Sequence, residues 1–337
     1  MQDDSWALRY DRRSPCQKML SMTVQNTSPT FHAAPLIKEI GRGVKGARAL
    51  SRNDAEQLFE AMLQGLVSDV ELGAVLMAYR IKGETPDELA GMLDAAHRHC
   101  GVVTPLTGKR VVVIPSYNGA RKQPNLVPLL ALLLQQAGIP VLVHGASNFG
   151  GRVTSLELFE GLGILSSPSV EAASAQLQNT GLSVLSIEAL SPALSTLLDM
   201  RTVVGLRNSA HTIVKMLQPV GDHGSSCALQ LVSYTHPEYR ETLRSFFTAR
   251  DANVLLTRGT EGEAVADARR GGRIDHLRSG VLSELVSGEE GSIGTVVLPN
   301  GTDKDATVAF IRGVLDGTQP VPAPIARQIA VIQNAMQ

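Results

Sequence analysis

The sequence predicts an α/β chain: a small N-terminal α-helical bundle domain beside a large α/β domain with a mostly parallel sheet. Residues 35–100 carry apolar positions at helical spacing, with capping residues at the turns. Beyond residue 110, β-branched runs alternate with helical patterns, as in parallel sheets covered on both faces. The 337 residues are 43% apolar and 19% charged, which fills a large core and is unlike a disordered or coiled-coil chain.

Each element has its own signal. "SRNDAEQLFEAMLQGLV" begins with Ser51 as N-cap and Asp54 three places on, and Leu58, Met62 and Leu66 repeat at helical spacing. "SDVELGAVLMAYRIKG" is a second helix closed by Gly83. "TPDELAGMLDAAHRHC" is a third, with Thr85 as N-cap and Pro86 at the first helical position. "VTPLTGK" reads as a linker. Strands are expected at 110–114, 140–144, 182–187, 226–232, 253–257 and 293–298, with helices at 125–137, 154–162, 171–179 and 237–249. The resulting division is a flexible tail over 1–31, a helical domain over 32–104 and an α/β domain over 105–337. The helical stretch 191–218 is expected to rejoin the bundle. Ligands in such sheets bind beyond the carboxyl ends of the strands, here at the loops 115–124, 145–153 and 258–263.

Cys16, Cys100 and Cys227 are isolated, with no CxxC pair, so neither a disulfide framework nor a zinc site is expected. No apolar run reaches the ~18 residues of a membrane span. The first thirty residues lack the apolar core of a secretory signal. A cytoplasmic protein is the expectation.

The formal net charge is −1, which excludes a globally basic nucleic-acid binder. Its distribution is uneven. No acid occurs from Gly101 to Leu156, where Lys109, Arg110, Arg121, Lys122 and Arg152 lie. Met200 to Gly221 also lacks acids and carries Arg201, Arg207, His211 and Lys215. Residues 36–52 set Lys38, Arg42, Lys45, Arg48 and Arg52 against Glu39 alone. Such segregation makes a local field that the net charge hides.

The loop "IPSYNGARKQPNL" stands where a strand feeds a helix, a usual place to hold phosphate on backbone N–H groups. It has one glycine, Gly119, no acid, and the pair Arg121-Lys122. In "VHGASNFGGRVTS", Gly150-Gly151 offers N–H groups, Arg152 adds a cation, and Thr154 or Ser155 can cap the following helix. His144 at the strand end suits a satisfied core histidine as well as a functional one. In "RTVVGLRNSAHTIVKMLQP", Arg207, His211 and Lys215 fall at i, i+4 and i+8, one basic helical face with Asn208 beside it. Each side chain of such a row can reach one phosphate oxygen. Glu261 and Glu263 in "RGTEGEAVAD" are a weak magnesium pattern. There is no serine elbow, HExxH, Walker A lysine or GxGxxG.

"LSRNDAEQLFEAMLQGLVSDVELGAVLMAYRIKGETPDELAG" is similar to the helical start of anthranilate phosphoribosyltransferase and the related pyrimidine-nucleoside phosphorylases, of glycosyltransferase family 3. The resemblance runs from about residue 36 to the end. It implies a phosphoribosyltransferase-like fold and a homodimer through the small domains. The family's phosphate loop GTGGD aligns with Pro115 to Gly119, "PSYNG", counted back from Asn125, and most of its glycines are gone. The following Ser-Thr pair is Val127-Pro128. KHGN is Val143 to Ala146, keeping His144 and Gly145. The metal-binding Asp-Glu pair appears as Thr260-Glu261, and the anthranilate-side arginine aligns with Arg207. "KEIGRG", "RIKGE", "IPSYNGARKQ", "GLRNSAHT", "HPEY" and "RGTEGE" together resemble the YbiB-type branch of the family. That resemblance implies nucleic-acid binding without sequence preference, DNA or RNA, in a basic groove across a dimer. The groove would use Lys38, Arg42, Lys45, Arg48, Asn118, Arg121, Lys122, Asn125, Arg152, Arg201, Arg207, Asn208, His211 and Lys215. Pro115, Ser116, Gly119, His144 and Gly145 would be a degenerate substrate pocket. No cofactor is expected. The alternative is a pentosyltransferase using phosphoribosyl pyrophosphate, with magnesium on Glu261. An active anthranilate phosphoribosyltransferase is not expected.

Overall fold

A computed structural model describes residues 31–223, 226–288 and 296–337. Residues 1–30 of the tail expected over 1–31 lie outside the described residues, as does the first half of the strand expected at 293–298. The other half, 296–298, is not in a strand.

The chain begins with a helical bundle: α1 (Ala34–Ile40), α2 (Arg52–Leu63), α3 (Asp69–Lys82) and α4 (Pro86–Arg98). Its caps are local. The Ser51 side chain accepts from the Asp54 N–H. Thr85 and Glu88 form a reciprocal capping box at the start of α4, with Pro86 in the first turn. Glu88 is fully buried and does more than cap. One carboxylate oxygen accepts from the Leu50 N–H at 2.8 Å. The other takes the Thr85 N–H at 2.9 Å and the Lys82 ammonium at 2.6 Å. One side chain thus joins the end of α3, the start of α4 and the segment entering α2.

The α/β part follows as β1 (Val111–Ser116), α5 (Val127–Gln136), β2 (Val141–Gly145), α6 (Ser155–Gly161), α7 (Val170–Thr180) and β3 (Leu182–Ser186). Then come α8 (Ile187–Leu190), α9 (Pro192–Val204), α10 (Ala210–Ile213), β4 (Ala228–Tyr234), α11 (Pro237–Thr248) and β5 (Asn253–Arg258). The chain closes with β6 (Ile274–Arg278), β7 (Val281–Val286), α12 (Lys304–Leu315) and α13 (Ala323–Ala335). The strands form one seven-stranded sheet in the order β3-β2-β1-β4-β5-β6-β7. β3, β2, β1, β4 and β5 are parallel, and β6 and β7 add an antiparallel edge.

The apolar strand runs are buried on both faces. Val111 and Val113 join Leu142, Val232 and Leu256 on the face that continues into the bundle. Val112 and Ile114 join Val143, Leu231 and Leu255 on the other, under α5, α12 and α13. α9 packs against α2, α10 against α4, and α11 against α4. Arg110 fixes the end of α13, donating to the Met336 carbonyl at 3.0 Å.

β1 pairs with β2 on one side and β4 on the other. The loops leaving β1 and β4 therefore diverge, which opens a crevice beyond their carboxyl ends.

Candidate functional site

The loop after β1 and the loop after β2 lie side by side. Ala120 and Val153 exchange backbone hydrogen bonds at 2.8 and 3.0 Å. Arg152 reaches back over the first loop, its guanidinium donating to the Asn118 and Gly119 carbonyls. Thr154 is the cap of α6, in a capping box with Glu157.

Arg152 shares the crevice with two other arginines, all gathered round one ring. The Arg201 guanidinium lies 3.5 Å from the Phe149 centroid, Arg207 5.0 Å and Arg152 5.6 Å. They line an open cavity of about 420 Å³ together with Asn118, Gly150, Lys215 and Glu261. Neither Arg201 nor Arg207 forms an ion pair with an acid among the described residues. Burial and the neighbouring guanidiniums lower the pKa of Arg207 from its ordinary value. Lys215 is pushed down to about 8 by burial, against the pull of Glu263 and with the push of Arg207 and Arg152. A second cavity, about 380 Å³, lies between the bundle and the sheet and shares Arg207 and Lys215. Tyr79, Arg80, Glu84, His211, His236 and Tyr239 also line it.

These cations do not converge through one helix, and the expected basic helical row is corrected. α9 ends at Gly205, which is left-handed, and α10 is a single turn. Arg207 lies before α10 and Lys215 after it, so the loop rather than helical spacing brings them together. Asn208 is structural: its amide donates to the Leu197 carbonyl at 2.8 Å and its oxygen accepts from the Ala210 N–H. His211 is buried and pushed down to about 3, by burial first and then by Arg207 and Arg201. Its ring is therefore neutral at pH 7 in this arrangement.

Lys38, Arg42, Lys45 and Arg48 are exposed and line neither cavity. Arg42 and Arg48 instead share Glu39, at 2.7 and 3.8 Å. Arg121 and Lys122 are exposed at the edge of the first loop. Asn125 is buried, its amide donating to Ser155 Oγ and its oxygen accepting from the Val127 N–H at the start of α5.

Of the expected pocket residues, Pro115, Ser116, His144 and Gly145 are buried at the ends of β1 and β2. Pro115 lies inside β1. Ser116 bonds Ser155 Oγ at 2.6 Å. His144 is fully buried, 2.7 Å from the Tyr117 hydroxyl, and burial pushes it down to about 3. Gly145 passes so close to β1 that a Cβ there would lie 2.2 Å from the Ser116 carbonyl oxygen.

The phosphate-loop position already holds anions, a feature the sequence reading missed. One oxygen of Glu263 accepts from the Asn118 and Gly119 N–H groups at 2.7 and 2.6 Å. Glu261 accepts from Arg121 at 3.1 Å, Lys122 at 2.7 Å and Gln123 at 2.9 Å. The five N–H groups of this loop thus face the chain's own two carboxylates. Magnesium does not fit here. Both Glu261 oxygens are engaged by N–H donors, and Thr260 is turned away, its hydroxyl donating to the Val265 carbonyl. The described residues contain no group of three or more His, Cys, Asp or Glu able to hold a metal. Cys100 and Cys227 are free thiols. No helix among the described residues is long and apolar enough to cross a membrane.

Comparison with known proteins agrees with this geometry. Residues 34–100 match the helical bundle domain of the glycosyl transferase family. Protein YbiB of Escherichia coli K12 is 41% identical over 297 residues, spanning 88% of this chain and 91% of that one. Anthranilate phosphoribosyltransferase of Sinorhizobium medicae is 27% identical over 288 residues, spanning 82% and 81%. The crystal structure of anthranilate phosphoribosyltransferase from Thermus thermophilus superposes with a TM-score of 0.68 at 21% identity, covering 89% and 87%, a likeness of fold. The bundle, the parallel sheet and this identity along most of both chains place the protein in the anthranilate phosphoribosyltransferase-like glycosyltransferase family 3, alongside YbiB.

Proposed function

We propose that the protein binds nucleic acid, DNA or RNA, through the phosphate backbone and without sequence preference. The observation that carries this reading is the gathering of Arg152, Arg201 and Arg207 round Phe149, with Lys215 beside them, and with no ion pair to Arg201 or Arg207 among the described residues. Arg152 pairs with Glu261, but Arg201 and Arg207 have no ion-pair partner among the described residues; such crowded guanidiniums repel one another, and a polyanion relieves that repulsion. Phosphate contacts carry no base information, so binding is sequence-tolerant. A homodimer through the helical domain would set two such grooves on one strand and add avidity. The protein acts in the cytoplasm on this reading, and it needs no cofactor.

The test is fluorescence anisotropy of labelled single-stranded, double-stranded and RNA 30-mers across a salt series. The expected result is tight binding at low salt with log K falling by ~0.7–0.9 per phosphate contacted. No binding of any 30-mer at low salt would overturn the reading. The competing pentosyltransferase reading is favoured by the enzyme relative at 27% identity. It needs a loop open to pyrophosphate, and the five N–H groups there are engaged by Glu261 and Glu263. Calorimetric binding of phosphoribosyl pyrophosphate with magnesium would restore it.

A pH dependence follows from Lys215. Its ammonium loses its proton through about pH 8, and a bound phosphate favours the charged form. Affinity should therefore hold below about pH 8 and fall by up to about tenfold as pH rises a further unit or so. Lys215→Arg, which stays charged, should flatten that profile in the same anisotropy assay.

A further inference from the structure

The two glutamates on the phosphate-position loop are more than neighbours of it. They come from a tight turn at the end of β5. Glu263 N–H donates to the Thr260 carbonyl at 2.9 Å, and the two residues between have positive φ, 53° at Glu261 and 90° at Gly262. Such primed turns normally place glycine or asparagine at both positions. A glutamate in the left-handed region is strained and persists where surrounding contacts hold it. Here three N–H groups hold its carboxylate. Ser233 Oγ fixes the turn from β4 by donating to the Gly262 carbonyl at 2.8 Å.

The inner glutamate is deeper. Glu263 is 1% exposed, and its second oxygen is buried with no hydrogen-bond partner. A buried carboxylate oxygen without a donor is costly. It is tolerated where the other oxygen satisfies two amides that would otherwise be orphaned.

We propose that Glu261 and Glu263 are built-in anions that seal an amide nest, Asn118 to Gln123, against phosphate, and that removing Glu261 opens the outer half of that nest to pyrophosphate. The inner half, Asn118 and Gly119, stays closed by Glu263. The outer half is different, because Glu261 is partly exposed and lines the cationic cavity beside Arg152, 3.8 Å away. This inference deepens the nucleic-acid reading: it assigns phosphate recognition to the guanidiniums and withholds it from the backbone.

The experiment is calorimetric titration of inorganic pyrophosphate, without magnesium, into the wild type, Glu261→Gln and Glu261→Gly. Gln removes the charge and keeps an acceptor. Glycine removes the whole group and suits the positive φ, so this variant keeps the turn. Glu261→Gly is expected to bind pyrophosphate at least about tenfold more tightly than wild type, with Glu261→Gln between them. Backbone amide signals of Arg121, Lys122 and Gln123 should move on titration of Glu261→Gly. Wild-type affinity equal to that of Glu261→Gly would overturn the seal. So would a gain that leaves those three amides unmoved, since it would belong to the arginines. Nucleic-acid anisotropy of the same proteins is read separately: its absence in wild type sinks the functional reading and leaves the pyrophosphate result standing.

Discussion

Replacing Arg201 and Arg207 together with alanine is expected to weaken nucleic-acid binding about 100-fold at moderate salt, at ~1.5 kcal/mol for each charged hydrogen bond lost. The salt slope should become shallower by about 1.4–1.8, the contribution of two phosphates. The two guanidiniums approach the same ring, at 3.5 and 5.0 Å, and neither has an acid partner among the described residues. Burial lowers the pKa of both, and a bound phosphate supplies an ion-pair partner that neither has among the described residues. Anisotropy of a labelled 30-mer across a salt series measures both quantities. Arg201→Lys/Arg207→Lys should recover most of the slope, because counterion release counts charges. It should recover less of the affinity, because an ammonium neither stacks on Phe149 nor forks to two phosphate oxygens. A double alanine variant with unchanged slope would place the phosphates elsewhere, for instance on the exposed Lys38–Arg48 segment.

Glu88→Ala is expected to destabilise the helical bundle by about 3–5 kcal/mol. The loss is of one buried acceptor serving several donors. Without it, the buried Leu50 and Thr85 N–H groups lose their partner, and the Lys82 ammonium, 9% exposed, faces no counter-charge. Lys82 retains the Gly83 carbonyl at 2.8 Å, which moderates the cost. Glu88→Gln keeps one backbone acceptor but sets an amide NH2 against the donors of the other oxygen, so it should also destabilise, by less than Glu88→Ala. Urea unfolding followed by far-ultraviolet circular dichroism measures both. A shift of the midpoint at constant slope is the expected form. A Glu88→Ala midpoint at the wild-type value would show that these bonds are replaced by water.

The parallel strands were legible because both their faces are buried. "RVVVI" and "PVLVH" are continuous apolar runs, and the observed β1 and β2 differ from the expected ranges by a residue or two. The antiparallel edge was not legible. β7 is mostly exposed, so "VLSELV" mixes polar and apolar residues, and the strand expected at 293–298 took its place. The signal was there in Ser279-Gly280, both at positive φ, the two-residue turn that joins β6 to β7.

The site was half legible, for a different reason. Charge segregation marked Arg152, Arg201, Arg207 and Lys215, but a segment rich in cations says nothing about what folds beside it. Glu39 accounts for two cations of the 36–52 segment, and Asn125 and Asn208 are used by the backbone. Glu261 and Glu263 lie about 140 residues from the loop whose amides they fill, and no local pattern reports such a pairing.

The turn at Glu261 also sets how little change would be needed to open the loop. Glutamate and glycine codons differ at their middle base alone, and at φ 53° glycine is the more comfortable residue. The backbone beneath the glutamate is thus already shaped for its smallest replacement. A single point mutation would release the side chain without asking the fold to relearn anything.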